Sequence, residues 1–539
     1  MRLRRPGRLV AALPLLLCLT ACDQVAETVS GPDPADAARA LAAGLVAGDL
    51  TGSEDVAVDD AEASTSYAAV VGDLLEDTGV TPSVEVLAVD EGVPTADGAE
   101  TATAELVWTW PLGEEWTYET QAPMTLVDDT WTLTWSPSVV EPSLVAGEAL
   151  VASALAPQRG DVKGAGSTLV TERPVVRFGI DKSRLSKKKA VRSARALARL
   201  VDVGERDVVA RVKSAGERAF VEAITFRRGD VPARVTDGFD GIDGALALDD
   251  DLALAPTRDF AAPILGRVGP VTAEMVEEQP EVYSSGDVAG LSGLQARYDE
   301  QLRGTPGLLV TAVPGKDAAS ESLGERELFR VDATRGEALR LTLDRDLQTL
   351  AERLLADQPS ASALVALRPG SGEILAAANG PGTGGVNVAT FGQAAPGSTF
   401  KTVTSLALLR AGLDASSQVS CTDEVVVDGK RFGNYSDYPA GGLGRIPLRS
   451  AVANSCNTAF INARDRLDDG DLAAAAASLG LGVDHEVGFP AYFGQVPAPE
   501  SQTEAAADLI GQGRVLASPM AMAAVVGSVQ SGRTTVPWL

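Results

Sequence analysis

The chain has 539 residues, 45% of them apolar, and its 74 acidic against 46 basic side chains leave a net charge of −28. This length provides for three or four domains with separate cores, and the acidity argues against a nucleic-acid partner, because neutralising phosphates needs clustered Lys and Arg. The single histidine, His485, removes two-histidine metal sites and leaves a Ser-His-Asp triad only if that one residue serves, so a hydrolase or acyltransferase here would most economically use lysine as its base.

In chain order, Arg2, Arg4, Arg5 and Arg8 precede the apolar stretch from Leu9 to Leu19, too short for a comfortable membrane span but right for a signal sequence. It ends Leu19-Thr20-Ala21-Cys22, which resembles a bacterial lipobox. The resemblance implies a signal peptide over 1–21, a lipid-bearing Cys22, and an exported chain. Residues 22–33 are small and polar and read as a tether. The block 34–140 holds two helical patterns, one with Leu41 and Leu45, the other with Tyr67, Val70, Val71, Leu74 and Leu75. Alternating strands follow at Glu105 to Trp110 and at Thr130 to Trp135. Five of the six tryptophans fall in this block, so it is expected to have its own α+β core and an interaction or spacer role.

Pro142 to Gly166 reads as a connector, and a further block runs over 150–330. It contains a basic helix pattern from Lys187 to Leu200, whose charge is expected to be a solvated face. Within it, Ser186-Lys187-Lys188-Lys189 places a serine and a lysine three apart with no glycine turn and no apolar cradle, and reads as a solvated helix start.

The last block, 335–539, begins with a short strand at Leu339 to Leu343 and a helix from about Asp346 with Leu347, Leu350, Leu354 and Leu355 on its apolar face. Strands at Ser362 to Leu367 and Glu373 to Ala377 flank a turn at Pro369 to Gly372, and a glycine-rich loop, Gly380 to Gly385, follows. Then comes Pro396-Gly397-Ser398-Thr399-Phe400-Lys401, a tight turn delivering a serine to the first turn of a buried helix with a lysine one turn later. Residues three apart share a helix face, so Ser398 Oγ and Lys401 Nζ can meet. Desolvation by Phe400 and Leu406 would lower the lysine's pKa and make it a base. Further on, Ser455 and Asn457 in Asn454-Ser455-Cys456-Asn457 can both face a pocket, one relaying a proton and the other binding a peptide carbonyl, although such a tripeptide also suits a capping loop. Besides Cys18 and Cys22, the cysteines are Cys421 and Cys456, and in an exported chain a disulfide between them is allowed.

SxxK at Ser398 and Lys401 followed by SxN at Ser455 and Asn457 is part of the signature set of penicillin-binding proteins and class A β-lactamases. The chain resembles a class B penicillin-binding protein. Its hairpin from Ala366 to Ala376 is similar to the family's strand pair before the nucleophile. Gly293 to Gly304 and Arg159-Gly160-Asp161-Val162 look like the end and start of its pedestal, or dimerisation, domain. The block 34–140 looks like the cone-shaped, nuclear-transport-factor-like domain of the methicillin-resistance type.

The resemblance implies a multidomain α+β chain whose C-terminal domain packs helices around an antiparallel sheet. It implies a DD-transpeptidase that needs no cofactor: Ser398 attacks a peptidoglycan stem peptide ending in D-Ala-D-Ala, Lys401 takes its proton, Ser455 relays it and Asn457 holds the donor peptide. β-Lactams would acylate Ser398. A lipid anchor at Cys22 would place the catalytic domain outside the cytoplasmic membrane, with a glycosyltransferase as a partner. Alternatives are a non-catalytic scaffold or sensor of the wall machinery and, more weakly, a β-lactamase or carboxypeptidase. The family's third motif, Lys-Thr-Gly or Lys-Ser-Gly, does not follow Asn457 before Leu539, so the resemblance implies either a fragment of a longer protein or a natively incomplete domain lacking the carboxylate-binding lysine.

Overall fold

The computed structural model describes residues 31–51, 55–284, 286–315 and 324–539. The arginine-rich leader, Cys22 and most of the tether lie outside these residues. The chain divides into two compact units, one formed by residues up to 154 together with 308–331, the other by 155–307 together with 332–539.

In the first unit, helix Pro34–Ala47 starts at Asp33, whose carboxylate accepts the Ala35 N–H, and ends at Gly48 with φ 76°. Its Leu41 and Leu45 join Tyr67, Val70, Val71 and Leu74 of helix Ala63–Thr78 in a single core, as their spacing predicts. The sheet runs in the order Val56–Val58, Thr130–Leu133, Glu114–Val127, Thr101–Leu112, Ser83–Glu91. Strand Thr101–Leu112 buries alternate residues, among them Leu106, Trp108 and Trp110. The buried Trp108 indole donates to Thr120 Oγ1 at 3.0 Å and to the Val139 carbonyl at 3.1 Å, so its polar edge is satisfied inside the core.

One reading of this region is corrected. The expected connector from Pro142 to Gly166 contains strands Glu148–Leu155 and Val162–Lys163. Glu148–Leu155 lies in a three-stranded sheet with Gly307–Pro314 and Arg326–Val331, so residues 308–331 pack in the first unit rather than with the rest of the 150–330 block. A bidentate contact of Arg326 with the buried Glu148, at 2.7 and 2.9 Å, fastens that sheet.

In the second unit, strand Thr168–Asp181 pairs with both Ala245–Leu254 and Phe220–Arg227. Helices Lys187–Val201 and Glu205–Ser214 bury Leu197, Val201, Val208 and Val212 together with Phe178 and Ile180 of that strand. Lys187 is exposed and pairs with exposed Glu217, which leaves the basic helix start solvated as expected.

The two separate pedestal-like stretches meet. Buried Arg159 donates to Asp299 Oδ1 at 2.7 Å, to Gln295 Oε1 at 2.9 Å and to the Gln295 carbonyl at 3.0 Å. Asp299 also accepts from Tyr283 Oη and the Gly290 N–H. The preceding residue, Tyr298, donates to the Gly488 carbonyl, tying this stretch to the C-terminal part of the same unit.

That C-terminal part carries the hairpin Ala363–Leu367 with Ile374–Asn379, antiparallel as expected. Residues Gly372, Ile374 and Trp538 exchange backbone hydrogen bonds, so the chain end runs beside the hairpin. Helix Arg345–Leu355 packs on strand Ile374–Asn379, but of its leucines Leu355 joins that packing, whereas Leu347, Leu350 and Leu354 are 41, 47 and 61% exposed; Gln348 and Ala351 are buried. Gln348 Oε1 accepts the Ala377 N–H and its Nε2 donates to Glu352, which satisfies a buried strand amide. The small Ala351 joins Ala376 and Ala378 in the packing beneath it. Among the described residues, no helix is long and apolar enough to cross a membrane.

Candidate active site

The Ser398 turn differs from the expected helix start. Gly397–Phe400 is a 3-10 turn and the α-helix begins at Lys401, continuing to Arg410. Gly397 takes φ 56°, a left-handed value open to glycine, and its N–H donates to the Gly511 carbonyl at 2.8 Å. Gly511 is itself constrained: at φ 68°, a Cβ there would lie 2.0 Å from the Gly397 carbonyl oxygen. Three residues into the helix, Thr404 Oγ1 donates to the Leu509 carbonyl at 2.8 Å. The segment 509–511 therefore buttresses the serine turn from behind, a role that no local pattern assigns.

Ser398 is exposed, whereas Lys401 is 3% exposed. Lys401 Nζ lies 3.1 Å from Ser398 Oγ, 3.0 Å from Ser455 Oγ, 2.7 Å from the Ser455 carbonyl oxygen and 2.6 Å from Asn457 Oδ1. The structure thus brings all four predicted residues, Ser398, Lys401, Ser455 and Asn457, to one point. The ring over the amine is that of Phe460, 5.7 Å from Nζ; Phe400 and Leu406 belong instead to the cluster behind the helix.

Burial pushes the Lys401 pKa down to about 8. An ammonium has three donors and no acceptor, so it cannot serve four oxygens with one bond each. A neutral amine fits differently. Its two N–H bonds can go to the Ser455 carbonyl and Asn457 Oδ1, neither of which can donate, leaving the lone pair for a hydroxyl of Ser398 or Ser455. The arrangement can therefore take a proton from Ser398 and exchange it with Ser455.

The Ser455–Asn457 loop is held against a second small sheet system. Asn457 Nδ2 donates to the Gly433 carbonyl at 2.9 Å, which turns Oδ1 toward Lys401. Cys456 is the N-cap of helix Asn457–Asn462 and forms a disulfide with Cys421, with Cα atoms 6.2 Å apart. Sequence reasoning allowed this bridge; the fold supplies the proximity. Ser455 adopts φ 52°, unusual for a residue with a side chain. His485 is elsewhere, edge-on to Phe493 at 5.0 Å. Among the described residues, no three His, Cys, Asp or Glu side chains converge as metal ligands would.

Three family models match the chain: an NTF2-like N-terminal transpeptidase domain over 47–148, a penicillin-binding protein dimerisation domain over 154–341, and a penicillin-binding protein transpeptidase domain over 362–539. The peptidoglycan D,D-transpeptidase MrdA of Acinetobacter baumannii is 27% identical over 319 residues, which is 52% of this chain and 46% of that protein. The stage V sporulation protein D of Bacillus subtilis is 24% identical over 65% of this chain and 54% of its own length. The peptidoglycan D,D-transpeptidase PbpA of Mycobacterium tuberculosis is 30% identical over 27% of this chain and 30% of its own length. The chain thus spans about half the length, or less, of these curated relatives. In fold it is similar to a chain in the complex between penicillin-binding protein PBP2 and MreC from Helicobacter pylori, with TM-score 0.55 and 18% identity, covering 72% of this chain and 79% of that one.

Proposed function

We propose a function from the premise that the three matched domains supply: the chain belongs to the class B penicillin-binding proteins and carries an NTF2-like domain on its N-terminal side. Its reaction is DD-transpeptidation of peptidoglycan stem peptides. The observation that carries this reading is the buried Lys401 amine held within 3.1 Å of an exposed serine hydroxyl and of two further SxN side chains.

Ser398 Oγ attacks the carbonyl carbon of the penultimate D-alanine while its proton passes to neutral Lys401. The bond to the terminal D-alanine nitrogen breaks, and that nitrogen receives the proton through Ser455. The ester left on Ser398 is resolved by an amine of a neighbouring stem, which forms the cross-link and returns Ser398 to its hydroxyl form. Asn457 holds the donor peptide, and the Ser398 N–H provides half of the oxyanion site. A β-lactam enters the same sequence, its ring amide opening on Ser398.

The division into a domain over 34–140, a pedestal over 150–330 and a catalytic domain over 335–539 belongs to this proposal. So do the lipid anchor at Cys22, the location of the catalytic domain on the outer face of the bacterial cytoplasmic membrane, and a glycosyltransferase partner. The leader pattern before Cys22 supports the anchor. The test is labelling of the whole gene product with a fluorescent penicillin. The wild type should take label and Ser398→Ala should take none; equal labelling of the two would remove Ser398 from the role.

A further inference from the structure

The SxN loop is short of internal support. Helix Asn457–Asn462 has six residues, too few to hold a position by its own hydrogen bonds, and Ser455 before it sits at φ 52°. Yet Ser455 and Asn457 together contribute three of the four oxygens around Lys401 Nζ. Something outside the loop must set their place.

The contacts that do so converge on one strand and its surroundings. Strand Gln418–Cys421 ends at Cys421, whose sulfur is bonded to Cys456, the residue between the two functional side chains. Both cysteines are fully buried. Next to this bond, Thr458 Oγ1 donates to the Thr422 carbonyl at 2.6 Å, and the Thr458 N–H donates to Asn434 Oδ1 at 3.2 Å. On the loop side, the Cys456 N–H donates to the Ala451 carbonyl at 2.9 Å and its sulfur accepts the Ala459 N–H at 3.3 Å. Of all these ties the disulfide is the one covalent link, and it acts on the residue flanked by Ser455 and Asn457.

We propose that the Cys421–Cys456 disulfide is a positioning element of the reaction, fixing Ser455 and Asn457 around Lys401 in the arrangement that lets the lysine take the Ser398 proton. This rests on the reading of Ser398 and Lys401 as nucleophile and base. The cysteines touch no reacting atom; they act through the two residues between which Cys456 lies. Without the bond, the loop keeps its hydrogen bonds to Thr422, Asn434 and Gly433 but loses the constraint on the left-handed Ser455. Displacement of a proton-transfer group by an ångström costs on the order of 100-fold in rate.

The experiment is a time course of acylation by a fluorescent penicillin over a range of concentrations. It compares the whole wild-type protein, Ser398→Ala, the double variant Cys421→Ala/Cys456→Ala, and Cys421→Ser, which keeps Cys456 in its capping place. Thermal melting selects a temperature at which each is folded. The expected result is a maximal acylation rate constant lowered roughly 10- to 100-fold in both cysteine variants, with the half-saturating concentration changed by less than about twofold. A maximal rate within about twofold of wild type in both would overturn the proposal. So would recovery of both only as unfolded chains, which would make the bond a requirement of folding instead. Absence of label on the wild type, or labelling of Ser398→Ala, strikes at the nucleophile reading itself and takes this proposal with it.

Discussion

The pH dependence of acylation follows from where Lys401 is buried. With its pKa at about 8, about a tenth of the lysine is neutral at pH 7, against roughly three in ten thousand for a lysine at its ordinary value. Burial therefore raises the concentration of active base about 300-fold at neutral pH. Neutral base increases with pH, so the second-order acylation rate constant should climb about tenfold per pH unit from 6 and level off near pH 8. Lys401→Arg supplies the complementary perturbation. A guanidinium keeps its charge throughout this range and has no lone pair to accept the Ser398 proton. Its acylation should fall by at least about 100-fold and lose the rise with pH. Timed quenching of a fluorescent-penicillin reaction between pH 6 and 9.5 measures both. A flat wild-type profile, or a Lys401→Arg rate within about tenfold of wild type, would refute the assignment of Lys401 as base.

Two other substitutions test the scaffold. Gly511→Ala would bring a Cβ to 2.0 Å from the Gly397 carbonyl oxygen, so the serine turn must shift; the melting temperature should fall and, at a temperature where the variant is still folded, acylation should drop on the order of 10- to 100-fold, whereas an unchanged rate would show that the buttress is dispensable. Arg159→Ala strips the buried Asp299 of its closer cationic partner and leaves it Arg303 at 3.8 Å, at a cost of about 3 kcal/mol in denaturant unfolding of the whole chain. A loss under about 1 kcal/mol would mean that Arg303, Tyr283 Oη and the Gly290 N–H suffice for that carboxylate.

Much of the site was legible because its chemistry is written locally. Ser398 and Lys401 are three residues apart behind Pro396-Gly397, and Ser455 and Asn457 are two apart, so spacing alone placed each pair on one side of its element. What spacing could not give was the meeting of the pairs across 54 to 56 residues, which depends on strand Gln418–Cys421 and on the disulfide. The roles of Phe460 and Gly511 carry no local signal for the same reason: a ring and a carbonyl acquire their roles only when distant segments approach.

The helix at Arg345–Leu355 teaches a different point. Its leucine periodicity correctly indicated an amphipathic helix, but periodicity does not say which side faces the hairpin. Here the hairpin takes Gln348 and Ala351, because the Ala377 N–H needs an acceptor and alanines at 376 and 378 allow close approach. In the first unit, Thr101–Leu112 was readable from alternation of large apolar residues with threonine and glutamate. Its partner Glu114–Val127 is not legible in the same way, since charged residues on its exposed face break the alternation although Trp116, Ala122 and Met124 are buried. The connector at Pro142 to Gly166 failed because a strand paired with residues some 160 positions later leaves no local turn signal.

The most direct measurement of the central claim is mass spectrometry of the whole gene product after exposure to a penicillin, with the adduct located by fragmentation of the proteolytic peptides. The account predicts one adduct per chain, carried by Ser398. An adduct on any other residue, or none under conditions in which a control penicillin-binding protein is fully acylated, would contradict it.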